Sequence, residues 1–237
     1  MVFQCLLLGV LSRSSLYTLA AIGDFIIAFR NAISENMNNI SISRAEIKKY
    51  FDPKQILEGS QSRSTSPSGS YKLETAEYQQ NKPDRNWTVT KVSIFDTRSH
   101  ELMFEFFTDY HSFFHEWLVK ENTEYLVGGE VLCGGQTVID LSARKMKSYS
   151  PPEDGFIWSD FYFSPCGSSL AVIGCHWACP YEVRVYDFSK PMDLPLSEIK
   201  IVTLHDSELD NVDWIDNRNF KTKNYDGSIR THSLDAA

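Results

Sequence analysis

The feature that most constrains this chain is a repeat with a period of about 45 residues. Short β-branched and aromatic runs ending in Asp occur as VSIFD (Val92–Asp96), TVID (Thr137–Asp140) and VRVYD (Val183–Asp187), with a degenerate copy in SIRTH (Ser228–His232). Their last residues are spaced by 44, 47 and 45 positions. A second part recurs upstream of each. SPSGSYKLETAEY (Ser66–Tyr78) matches SPCGSSLAVIGC (Ser164–Cys175), KENTEYLVGGE (Lys120–Glu130) stands in the register between them, and WIDNRNF (Trp214–Phe220) closes the series. The unit therefore reads strand, turn, strand, connection, strand, Asp-turn, strand. Self-similarity at this period, with four short strands per unit, is the pattern of a propeller blade.

From Ser66 onward, short runs of aromatic and β-branched residues alternate with turn signals, and no amphipathic helix of ten or more residues interrupts them. The expected fold is all-β, a small or incomplete β-propeller of about four blades, preceded by a short helical N-terminal segment. A generic β-sandwich with coincidental spacing is the alternative. An incomplete ring would leave edge strands unpaired, and such edges invite a second chain, so a homodimer is one expected consequence.

Residues 1–42 differ from the rest. Val2–Leu11 and Leu16–Phe29 are apolar runs separated by Ser12–Ser15, and neither reaches the roughly 20 residues of a membrane span. No basic n-region precedes the first run, as a secretory leader would require. The stretch is expected to pack on the body or hang loose, with a targeting role as the alternative. Ser43 stands three residues before Glu46, the spacing of a capping box, so a helix is expected over Arg44–Tyr50, ended by Pro53. The Ser-rich loop Gly59–Ser70 marks the boundary between an N-terminal segment, 1–59, and the repeat domain, 60–237.

Charge and cysteine usage narrow the function. A net charge of −8 with scattered basic residues gives no footprint for nucleic acid or an anionic membrane. Five dispersed cysteines form no disulfide framework and point to a reducing, cytoplasmic setting. There is no Walker loop and no G-x-S-x-G elbow around His111, Ser112 and His115, and no cofactor is expected. Gly128–Gly129 and Gly134–Gly135 fit a tight turn or bulge.

The S-P-x-G turn followed by a V-x-V-Y-D strand resembles the WD40/YVTN-type β-propeller superfamily. More narrowly, Gly134–Leu141 and Gly174–Leu196 are similar to a group of propeller-like proteins with no established function. The resemblance covers roughly residues 60–235 and implies fold more than activity. The Gly-His and Trp-Asp dipeptides of WD40 blades are absent, so WD40 partners do not carry over.

Two sets of residues stand out. The connection holding Cys175, His176, Trp177, Cys179, Tyr181 and Glu182 is the densest collection of special side chains, a candidate contact for a protein partner or small ligand. With Cys166 it offers thiolates and imidazole to zinc, although the spacing matches no usual finger or ribbon. As plain structure it is an ordered hairpin insertion. The second set is Glu116, Asp160 and Asp213, which the repeat register places on equivalent strands facing a common channel. Clustered carboxylates there would attract a cation or share a proton; the bland reading is turn caps facing solvent. Trp117, Trp158, Trp177 and Trp214 recur near blade starts, as packing between blades would require. The expected function is a non-catalytic interaction module rather than an enzyme, with a metal-assisted hydrolase as the rival.

Overall fold

Alternating turn and strand signals produce a run of antiparallel hairpins, paired in chain order within each sheet among the described residues. The computed structural model describes residues 40–235 apart from 83–84, 110–112, 131–133, 152–154, 177–179 and 204–208. The apolar runs Val2–Leu11 and Leu16–Phe29 lie outside the described residues, as do His111, Ser112, Trp177 and Cys179. The first sheet holds β1 (Ser62–Thr65), β2 (Tyr71–Lys82), β3 (Arg85–Asp96) and β4 (Leu102–Thr108). The second holds β5 (His115–Lys120), β6 (Thr123–Glu130), β7 (Gly135–Asp140) and β8 (Lys145–Tyr149). The third holds β9 (Ile157–Phe163), β10 (Ser169–Cys175), β11 (Glu182–Asp187) and β12 (Glu198–Thr203), and the fourth β13 (Leu209–Trp214), β14 (Asn219–Asn224) and β15 (Ile229–Ser233).

In each sheet the strands pair in chain order. A succession of such meanders is a β-propeller-like construction. VSIFD, TVID and VRVYD fall in β3, β7 and β11, and SIRTH overlaps β15, so the repeated motif is the third strand of each sheet. The two S-P-x-G turns join the first strand to the second in the first and third sheets. Gly69 and Gly167 there adopt φ of 75° and 67°, a region that a side chain makes costly. Gly128 and Gly129 correct the turn reading. They lie inside β6, where the Phe113 ring and Trp158 occupy the space their Cβ atoms would need.

Three apolar layers join the four sheets. Leu73, Val92, Ile94 and Phe106 of the first meet Leu126 and Ile139 of the second. Val127 and Val138, on the opposite face of that second sheet, meet Trp158, Leu170 and Val172 of the third. Ala171, Ile173, Val183 and Val185 then meet Val212 and Phe220 of the fourth. Each fully buried Val or Leu contributes about 1.5–3 kcal/mol. The middle sheets are thus covered on both faces, which is why β6 and β10 read as unbroken apolar runs. Among the described residues the fourth sheet is covered on one face. Along β14, Phe220, Thr222 and Asn224 are buried, while Lys221 and Lys223 are exposed.

Helix α1 (Ile40–Lys49) begins earlier than the capping-box spacing implies. Ser43 lies inside it rather than at its cap, because the turn before Ser43 is already helical. Ile47 packs on Val89 and Phe107 of the first sheet, and Gln80 Nε2 donates to the Ile47 carbonyl at 2.7 Å. Arg44 lies over the Phe106 ring, 4.4 Å from its centroid, and pairs with Glu130 of the second sheet. The helix therefore straddles the first two sheets. No helix among the described residues is long and apolar enough to cross a membrane.

Candidate functional site

Contacts between tight turns show that the four sheets share one end. In the first sheet's S-P-x-G turn, the Ser68 amide donates to Glu124 Oε1 at 2.9 Å, and the Ser68 hydroxyl donates to Oε2 at 2.7 Å. Lys120, the last residue of β5 before the second sheet's first turn, donates to the Phe188 and Ser189 carbonyls just after β11 at 2.8 and 2.7 Å. In the third sheet's S-P-x-G turn the Cys166 amide donates to Asn217 Oδ1 of the fourth at 2.9 Å. Because strands alternate in direction, the connections from second to third strand, including the one from β10 to β11, emerge at the opposite end, while those from third to fourth return to the shared end.

At that opposite end a cluster forms around Arg184 on β11. Glu182, two residues earlier, projects from the same face of the strand and accepts from Arg184 Nε at 2.7 Å. Arg184 Nη1 reaches Glu198 Oε2 of β12 at 2.9 Å, and Nη2 donates to His176 Nε2 at 2.8 Å. The guanidinium lies over the buried Phe156 ring, 4.5 Å from its centroid, and His176 meets that ring edge-on at 5.8 Å. Burial by itself would lower the Arg184 pKa. The Glu182 hydrogen bond and the charges of Glu198 and Glu182 outweigh it and raise the value. Gly174 makes room for the ring: a Cβ there would lie 2.8 Å from Phe156 and 2.1 Å from the Ile157 carbonyl oxygen. The ladder between β9 and β10 shifts register between Ile173 and Gly174.

Of the six residues singled out in this connection, the structure gathers His176 and Glu182 on Arg184. Cys175 ends β10, half-buried, and Tyr181 is 51% exposed beside Glu182. Arg184 was missed by sequence reasoning. Its signal was the i, i+2 pair Glu182 and Arg184, an opposite-charge pair on one strand face that alternates with the buried Val183 and Val185.

Cys166 does not join this group. It sits in the turn before β10, while Cys175 and His176 lie at or beyond that strand's other end, on the order of 20 Å away at about 3.3 Å per residue. A zinc site shared between them is excluded by that length. The exposed Cys166 thiol is 2.8 Å from Ser168 Oγ, and that hydrogen bond lowers its pKa.

Glu116, Asp160 and Asp213 do lie on the first strands of successive sheets, and all three are exposed. Each accepts a hydrogen bond from its own strand: Glu116 from the Trp117 amide at 3.1 Å, Asp160 from Ser159 Oγ at 2.9 Å, Asp213 from Asn211 Nδ2 at 2.9 Å. Asp160 and Asp213 share a neighbour in Tyr162. Burial, then the charges of Asp160, Asp210 and Asp213, push its phenol up to about 12. Among the described residues no group of three or more His, Cys, Asp or Glu is placed to hold a metal ion. The first-strand tryptophans pack as expected, with Trp158 buried between the second and third sheets and Trp214 donating to the Tyr162 carbonyl at 2.8 Å.

His115 takes a structural position. Its Nδ1 is 2.8 Å from the Phe113 carbonyl and its Nε2 3.2 Å from Ser64 Oγ, which also accepts from Trp117 Nε1 at 3.1 Å. This relay links the first strands of the first and second sheets. Burial lowers the His115 pKa, against the Phe113 carbonyl and Glu116.

No protein-family model matches the chain. It is 31% identical over 144 residues to an uncharacterised protein of Acanthamoeba polyphaga mimivirus, a match covering 60% of this chain and 56% of that protein. The chain thus spans little more than half the length of that curated relative. Among solved structures it is similar to the β-propeller domain of Myceliophteria thermophila Cps50 (Swd1), at 12% identity and a TM-score of 0.47, covering 82% of this chain and 55% of the other. It is also similar to the periplasmic gluconolactonase of Pseudomonas aeruginosa, at 12% identity and a TM-score of 0.45, covering 80% and 53%. Such likeness concerns the path of the chain and says nothing of activity.

Proposed function

We propose that this chain is a non-catalytic interaction module, an incomplete β-propeller of about four blades that binds a protein partner through the end carrying the β10–β11 connection. One observation carries the reading. Arg184 is immobilised on Phe156 by Glu182, Glu198 and His176, and the exposed Tyr181 immediately precedes Glu182 in the chain. Arginine and tyrosine dominate binding energy at interfaces, and side chains fixed before contact lose little entropy on binding. The few, dispersed cysteines support a cytoplasmic setting.

Photocrosslinking from position 181 in cell extract tests this, with a probe at Ser99, on the opposite end, as control. The expected result is one discrete adduct from position 181, competed by unlabelled chain and reduced about tenfold or more by Arg184→Ala. Equal labelling from both positions, or labelling indifferent to that substitution in a folded variant, would remove the reading. Metal analysis of the same preparation addresses the hydrolase rival. Stoichiometric zinc or calcium lost on Asp160→Asn or Asp213→Asn would favour it instead.

A further inference from the structure

The Arg184 cluster holds a titratable ring whose protonation state follows from its contacts. A guanidinium has five N–H donors and no acceptor. Arg184 Nη2 lies 2.8 Å from His176 Nε2, so that nitrogen carries the lone pair and the proton of the neutral ring sits on Nδ1. A proton added at Nε2 would set N–H against N–H and one cation against another. The bond exists only while His176 is neutral.

The charged and titratable groups around this contact come from several elements. Glu182, Arg184 and Tyr186 share one face of β11, and Glu198 reaches in from β12. Glu182 Oε1 accepts from both Nε and Nη2 of the guanidinium, at 2.7 and 2.6 Å. Burial pushes the Tyr186 phenol up to about 12, so it stays neutral wherever an imidazole titrates. Cys175, at the end of β10, immediately precedes His176. Lys200 pairs with Val185, which faces the fourth sheet, and therefore projects from the other side of the third. From the second sheet, Lys147 and Tyr149 of β8 share the face of Val138 that looks toward the third. Glu153 and Asp154, shortly before Phe156 in the chain, lie outside the described residues.

Protonation therefore changes who holds what. An imidazolium beside a guanidinium needs a carboxylate of its own. Glu182, which binds the same Nη2 nitrogen as His176, is the acceptor at hand. Glu198 keeps its bond to Nη1 from the β12 side, so the guanidinium has a second anchor to move toward. That anchor lies on the outer strand, whereas the Phe156 ring precedes the first strand of the sheet.

We infer that His176 is an acid-released catch on Arg184: neutral, it holds the guanidinium over Phe156; protonated, it takes Glu182 and lets the guanidinium swing toward Glu198. Histidine changes charge between about pH 5 and 8, the range in which the catch works. Its consequence is that acid loosens the surface beside Tyr181. That consequence rests on the partner-binding role proposed above, whereas the catch itself does not.

Heteronuclear NMR on the full chain, with a chelator in the buffer, tests the catch. At about pH 8, His176 should show the Nδ1–H tautomer, and the Arg184 Nε–H signal should be displaced by the Phe156 ring current, a displacement that Phe156→Leu removes. At about pH 5.5 the displacement should be lost, with the same midpoint as the His176 ring. His176→Gln keeps an acceptor that does not titrate, so the displacement should persist in acid. His115→Gln should leave the wild-type response unchanged. An Nε2–H tautomer of His176 in the alkaline sample, which needs no variant to detect, overturns the catch. So does a displacement indifferent to pH, or one still lost in His176→Gln. Photocrosslinking from position 181 reads the consequence: over the same range the adduct should fall about tenfold in wild type and hold in His176→Gln. A displacement that switches with His176 while the adduct ignores both acid and Arg184→Ala supports the catch and removes the partner-binding role.

Discussion

The two ends of the sheets hold different kinds of contact. At the tight-turn end, side chains of one sheet bond to turn groups of the next: Glu124 to Ser68, Lys120 to Phe188 and Ser189, Asn217 to Cys166. At the opposite end the Arg184 cluster gathers around the third sheet, and a bridge runs from Arg44 of the helix to Glu130. One end sets how the sheets lie against one another. The other presents side chains whose rearrangement would leave that arrangement intact, and this freedom is what a binding surface needs.

Substitutions can break or sharpen this contrast. The largest expected effect is Gly174→Val, which drives a branched side chain into the Ile157 carbonyl and the Phe156 ring. A loss of about 3 kcal/mol in urea unfolding is expected, with the Arg184 cluster disordered. A near-neutral result would mean the opposite end is looser than its geometry implies. Next come the two turn clamps. Glu124→Ala strands the Ser68 amide and hydroxyl beneath a buried carboxylate's site and is expected to lose about 2–3 kcal/mol, whereas the exposed Asn217→Ala loses about 1. Equal losses would erase the distinction between a buried and an exposed clamp.

The smallest effect is pH-dependent. His115 has a folded pKa below its ordinary value, so the unfolded chain takes up a proton more readily. Stability is then complete above about pH 6.5 and falls as pH drops toward the depressed folded value. The thermal midpoint should decline between pH 7 and 5, and His115→Gln should flatten the decline, leaving the part due to His232, whose shift has the same sign. A profile unchanged by His115→Gln would separate the Ser64 relay from stability altogether.

Much of the fold was legible because a β repeat leaves its period in the sequence. The third-strand motif and the S-P-x-G turns were found in register, since Gly69 and Gly167 meet a local backbone demand that no distant residue alters. The one-sided fourth sheet was also written there, in the alternation of Phe220, Thr222 and Asn224 with lysines. The helix start was misplaced, because a capping box is a spacing that a helix interior also contains. The candidate site was only half legible. His176 and Glu182 were singled out, but Arg184 was absorbed into a strand motif, and its partners Phe156 and Glu198 lie 28 and 14 residues away. Such groupings depend on register between strands, which composition does not record. Cys166 seemed close to Cys175 because nine positions look short, until an extended strand separates them.

The three apolar layers carry a consequence for cooperativity. The described clusters couple each sheet to the sheets beside it in sequence, so the stack behaves as a linear lattice with nearest-neighbour coupling. The second and third sheets each have two such neighbours, the first has a sheet and a helix, and the fourth has one. Among the described residues the fourth sheet is coupled on a single face, so fraying is expected to begin there.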